Sequence, residues 1–342
     1  MDYRLLEITR DVINFQVDNE NIVSNTKNGI YINELKVLNY NEYNSTQIID
    51  ESICFCGNLE EAFVYNFQTN ELTQINPKLS YYWNSFENFK VLASGNRRKD
   101  DFGNRVADYF YIELTTQNKV IILGVKKPQN IFLKQGILFI SENKSLNFCS
   151  KIDLSQFWQT DLSSYGTIRK VLGVCWDNLW VTTSDKTERS FSNKLLALSI
   201  ETGTVSHVID NDYTFDANWV QLLDKEEKIV SIKGSSNQAT YLYEYCGKTG
   251  TELRKQTIDS LESNGLSIIC AKVVENKVYF TATDHTQIVA NHVGVMVLET
   301  LEVVWFDKVS PGNLKLEPPQ VGADKIYVLG AEGTLHIYER EL

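Results

Sequence analysis

Asp284, His285 and His292 are the nearest thing in this sequence to a catalytic or metal-binding group. Carboxylate and imidazole are the partners that general acid–base work and zinc binding use. Two histidines on one loop, seven positions apart, meet only if that loop folds back on itself. No His-x-x-x-His or Cys-x-x-Cys spacing accompanies them. The trio therefore supports only an alternative reading, a hydrolase or lyase, and no catalytic residue, metal ligand or cofactor is assigned. His207 and His336 fall at the end of, or within, strand-like runs and read as structural. Cys54 and Cys56 are two apart, so on a strand they face the same way. With Cys149, Cys175, Cys246 and Cys270 they read as buried, reduced thiols.

A second set of residues has the chemistry of recognition. Segment 95–108 carries Arg97, Arg98, Phe102 and Arg105, and segment 184–194 carries Arg189 and Phe191. Arginine among aromatic residues is the composition of protein-interface anchors. The competing reading is a set of plain solvated loops. These six residues, with His285 and His292, are the candidate partner contacts. Trp83, Trp158, Trp176, Trp180, Trp219 and Trp305 are scattered along the chain and read as packing residues.

A repeat must position these residues. A β-branched run, a loop, an alternating apolar run, a tight polar turn and a third apolar run recur about every 40–50 residues, the period of a four-stranded propeller blade. The clearest copy is NLWVTTSD (178–185) with NKLLALSIETGTVSHVI (193–209). KIVSIKG (228–234) with YLYEYCGKTGTELRKQTI (241–258) and KVYFTATD (277–284) with VGVMVLETLEVVWFDKV (293–309) follow it. Copies before residue 175 are looser. Runs such as YFYIEL and LLALSI are apolar on both faces, as expected where twisted sheets pack face to face. Only five prolines interrupt a chain of ladder-forming strands. The turns QTNE, TTQN, ETGT and KTGT have hairpin chemistry.

On Leu196, Ala197, Leu198, Glu201, Thr202 and Gly203 the sequence resembles the pyrroloquinoline-quinone-like (PQQ-like) repeat. Thr249 and Gly250, Glu299 and Trp305, and AEGTLHIYE (331–339) echo it. The resemblance implies an all-β fold, a single β-propeller of seven or eight four-stranded blades over 1–342, and implies no activity. Quinone-dependent dehydrogenases share the repeat, but their adjacent-cysteine disulfide has no equivalent, because Phe55 separates Cys54 from Cys56. Tandem β-sandwiches are the structural alternative.

The last copy, KIYVLGAEGTLHIYERE (325–341), lacks an outer strand, so an N-terminal strand, YRLLEI (3–8) or VINFQV (12–17), is expected to close the ring. Residues 21–40 hold enough short runs for a small first blade. With strands named a to d in each blade, the long connections 95–108, 184–194, 234–240 and 283–292 are all b–c loops on one face, the expected binding face.

A net charge of −11 argues against nucleic acid and anionic lipid as partners. MDYRLLEITRDVINFQV does not read as a signal peptide, and no run reaches the length of a membrane span. The expectation is a monomeric, cytoplasmic, bacterial protein that binds another protein without catalysis, such as an immunity protein neutralising a toxin. An assembly factor of the same fold is the remaining alternative.

Overall fold

A computed structural model describes the chain except for residues 1, 19, 41, 43, 51–52, 59, 77–78, 88–89, 100–104, 114–118, 123–128, 134–135, 142, 151–154, 187–190, 211–218, 236–237, 285–288, 310–314 and 342. The described residues form eight four-stranded antiparallel sheets, seven of them meanders of consecutive strands. Sheets I to VII span 12–39, 45–75, 80–122, 129–161, 167–210, 221–257 and 267–308 in chain order. Sheet VIII is built from Gln320–Gly322, Lys325–Leu329 and Leu335–Arg340, with Tyr3–Thr9 as its outer strand. The only α-helix among the described residues is the single turn Asp259–Ser263.

Of the two N-terminal runs, 3–8 supplies the closing strand. Tyr3–Thr9 pairs antiparallel with Leu335–Arg340, from Tyr3↔Arg340 to Thr9↔Leu335. The run 12–17 opens sheet I, and residues 21–39 complete that sheet as a full small blade.

The sheets group into two compact units. The first holds sheets I, II, VII and VIII together with Lys233–Tyr241. Its apolar side chains lie between neighbouring sheets, which explains why the strands are apolar on both faces. Val23, Ile30, Cys54, Cys56 and Tyr65 pack sheet I against sheet II. Val293, Val295, Ile326, Val328 and Tyr338 pack VII against VIII. Side-chain amides tie the first strands together. Gln320 Nε2 donates to the Phe15 carbonyl, its Oε1 accepts the Val17 N–H, both at 3.0 Å, and the Ile48 N–H donates to Gln16 Oε1.

The second unit holds III, IV, V and the rest of VI. Leu138, Phe148 and Trp158 of sheet IV pack on Leu179, Val181 and Leu196 of sheet V. Here a lysine joins the first strands, Lys170 Nζ donating to the Val220 carbonyl at 3.0 Å.

The c–d turns repeat one geometry. The N–H groups of Gly203, Gly250 and Leu301 donate to the carbonyls of Ser199, Cys246 and Val297 at 2.8, 2.8 and 2.9 Å. All three residues have positive φ, at 72°, 68° and 59°. Glycine meets that demand without cost in the first two. The c–d turn of sheet I is tighter, with Asn33 and Glu34 at φ 45° and 71°. That is a type I′ pattern in which Gly normally holds the second place, so Glu34 costs roughly 1–2 kcal/mol of backbone strain.

Candidate functional site

The c–d turns of sheets V and VI are committed to structure. Trp158 Nε1 of sheet IV donates to the Ile200 carbonyl in the c–d turn of sheet V at 2.8 Å. Trp180 Nε1 of sheet V donates to the Gly247 carbonyl in the c–d turn of sheet VI at 2.7 Å. Trp158 and Trp180 are thus inter-sheet packing residues. Trp305 packs by its ring instead, with centroids 5.0 Å from Tyr3 and 5.4 Å from Tyr338.

The b–c ends are different, and so is their expected loop character. In sheet III the strands Lys90–Lys99 and Arg105–Glu113 consume most of 95–108, leaving only 100–104 between them. Among the described residues, strand a pairs up to Ser94 and strand d up to Tyr109. Beyond those limits the chain continues as a two-stranded arm with Gly95↔Asp108, Arg98↔Val106 and Lys99↔Arg105 in register. Sheet V has a shorter arm, Asp185↔Ser192 and Lys186↔Phe191. Charged residues on both faces hide such ribbons from a reading based on hydrophobic alternation.

The sequence candidates now have places. Arg97 and Arg98 lie on strand b of sheet III, Arg105 opens its strand c, and Phe191 opens strand c of sheet V. Arg98 is exposed, and its Nη1 donates to Asp108 Oδ1 across the arm at 2.7 Å. Phe102, Arg189 and His285 lie outside the described residues.

His292 needs correction as a loop contact. It begins strand His292–Val297, is only 7% exposed, and lies 6.2 Å from the Phe306 ring. Its Nδ1 pairs with Asn291 Oδ1 at 2.7 Å. Asn291 Nδ2 donates to Asp284 Oδ1 at 3.0 Å, and Lys308 Nζ donates to Asp284 Oδ2 at 2.9 Å. Asp284 and His292 therefore do meet, through an asparagine that sequence reasoning missed. The network clasps the two ends of the loop. Burial holds the His292 imidazole below its ordinary pKa, against the pull of Asp284. His336, 1% exposed, is lowered by the same cause.

A depressed histidine pKa means that the unfolded chain takes up the proton first. Stability from these two histidines is complete above the ordinary imidazole pKa of about 6.5 and is lost as pH falls toward the lower folded values. Replacing both, as His292→Asn with His336→Leu, is expected to flatten the Tm profile in that window. An unchanged slope would assign it to other groups.

The thiols differ sharply. Cys54 and Cys56 are fully buried, and burial pushes Cys56 up to about 12 and Cys54 higher still. Cys246 is partly exposed, and the Thr249 hydroxyl, then the N–H groups of Thr249 and Lys248, lower its pKa. Iodoacetamide should alkylate Cys246 first and reach Cys54 and Cys56 only on unfolding. Peptide mapping that finds Cys54 modified in the native protein would contradict this packing. Among the described residues no three His, Cys, Asp or Glu side chains gather as a metal site.

No protein-family model matches the chain, and no curated protein does. Solved structures do. The C-terminal WD40 domain of Sif2 matches with a TM-score of 0.61 at 11% identity, covering 99% of both chains. The computationally designed Ika8 protein matches with a TM-score of 0.59 at 13% identity, covering 98% of both. BamB from Moraxella catarrhalis matches with 0.54 at 12% identity, over 99% of this chain and all of its own. The chain is a β-propeller. At such low identity the likeness carries the fold alone, and the propeller's function has to be argued from its own surfaces.

Proposed function

We propose that this propeller binds another protein through its b–c ends and performs no catalysis. The observation that carries the reading is the arm in sheets III and V, where strands b and c go on pairing, Gly95–Lys99 with Arg105–Asp108 and Asp185–Lys186 with Phe191–Ser192, past the described ends of strands a and d. An isolated two-stranded ribbon is marginal in water, so such an arm gains most when a partner covers it. Arg97, Arg98, Arg105 and Phe191 lie on these arms, and Phe102, Arg189 and His285, outside the described residues, are the remaining candidate contacts. The net charge of −11 suits a basic partner. A toxin neutralised by an immunity protein in the bacterial cytoplasm is one such pair, and six cysteines present as thiols suit a reducing compartment. The repeat is read as PQQ-like, supported by the positive-φ glycines of ETGT and KTGT and by the tryptophans that dock on those turns.

Affinity capture from native cells with mass spectrometry tests the reading. A protein retained by the wild type should be lost by an Arg97→Ala, Arg98→Ala, Phe102→Ala variant of unchanged Tm. An anchor residue alone should cost about 2 kcal/mol, near thirty-fold in affinity. Normal binding by the variant would refute the arms as the contact. A turnover abolished by His285→Ala with binding intact would favour the enzyme instead.

A further inference from the structure

In the first unit, Val12 and Phe15 of sheet I pack on Tyr327, Leu329, Leu335 and Ile337 of sheet VIII, and beside this cluster the two sheets enclose a cleft of about 530 Å³. Its origin is local. On the facing side of strand Asn21–Thr26 stand Ile22, Ser24 and Thr26, and the two small polar residues leave volume that larger apolar side chains would occupy. The floor is buried and apolar, made by Tyr327, Leu335 and Ile337 of sheet VIII. Tyr31 is half-buried in the wall. A register shift between Leu5 and Glu7 turns the closing strand at its rim, where Leu6 is left 45% exposed.

The upper rim is acidic. Glu7, Glu20 and Glu34 line it, all exposed. Two cations also line the cleft, Arg10 and Lys325, and Lys325 already lies 4.0 Å from Glu339. Glu34 is the telling member, because it occupies the left-handed turn position where glycine would be free of strain. The cleft thus offers an apolar floor for an anchor side chain and a surplus of carboxylates above it.

We propose that this cleft binds a basic segment of a partner protein, with an aliphatic or aromatic side chain on Tyr327, Leu335 and Ile337 and lysine or arginine against Glu7, Glu20 and Glu34. The proposal rests on the protein-binding reading and names a second contact, separate from the arms, with its chemistry.

The test is a selection of random twelve-residue displayed peptides on the full-length protein. Wild type should enrich sequences that combine Lys or Arg with Leu, Ile, Phe or Tyr. The best enriched peptide, made synthetically and followed by fluorescence anisotropy, should bind more weakly as salt rises. A Glu7→Gln, Glu20→Gln, Glu34→Gln variant should lose at least tenfold in affinity, and Ser24→Trp, which fills the cleft, should lose binding. Glu34→Gly separates binding from folding, since it should raise Tm by relieving the backbone while weakening the peptide. The arm variant should bind the peptide normally, so failure of the arms and failure of the cleft are told apart. No enrichment, enrichment of peptides without basic residues, or equal affinity in the triple-glutamine variant would overturn the proposal.

Discussion

Removing residues 1–10 is expected to turn the protein into an aggregating species with a sharply lowered Tm. Tyr3–Thr9 is the outer strand of sheet VIII, and without it the edge of Leu335–Arg340 is left bare. An unpaired edge is a template for another chain. The deletion also strips Tyr3, 8% exposed and 5.0 Å from Trp305, whose burial is worth about 1.5–3 kcal/mol. Trp305 and its neighbour Tyr338 would then meet water on one side. Light scattering after size exclusion reads the outcome directly. A synthetic peptide of residues 1–10 supplied in trans should restore the size of the intact protein, because the lost strand is held by pairing rather than by the short link to Val12. A truncated protein of unchanged size and Tm would show that the edge is protected otherwise.

The closing strand was legible because the last repeat is visibly one strand short. The b and c strands of sheets V to VIII were legible too, since burial between sheets forces apolar residues onto both faces. The first strands were not. Thr167–Cys175 carries Arg169 and Lys170, and register shifts after Ile168 and Val171 break its alternation. Ser267–Val274 has the same fault after Ile268. The arm of sheet III read as a loop because its charged run, with Arg97, Arg98, Lys99 and Arg105, has no apolar period. His292 read as exposed because the clasp that buries it depends on Asn291 and Lys308, which chain order alone does not bring to it. The cleft was invisible for a simpler reason. Its walls lie some three hundred residues apart in sequence and meet only where the N-terminal strand joins the last sheet.

Trp180→Ala is expected to be the most damaging single substitution in the second unit, at about 3–5 kcal/mol. Trp180 is fully buried, and its ring lies beside the c–d turn of sheet VI, where a Cβ on Gly250 would come within 3.3 Å of it. The substitution opens a cavity and also removes the donor of the 2.7 Å hydrogen bond to the Gly247 carbonyl. Trp180→Phe separates the two losses. It keeps most of the apolar ring and leaves the carbonyl without the indole, a penalty of about 1–3 kcal/mol if water cannot reach it. Trp176 is the control. It is 53% exposed, and its named contact is Lys248 Nζ, 4.4 Å from the ring centroid. Trp176→Ala should therefore cost only about 0.5–1 kcal/mol. Urea unfolding of the three variants measures all of this on one scale. If Trp180→Phe matches the wild type, the indole hydrogen bond contributes nothing and the turn is held by packing. If Trp180→Ala is as mild as Trp176→Ala, sheets V and VI are not locked together through this residue, and the docking of tryptophan on the c–d turn is not what commits that end of the sheets to structure.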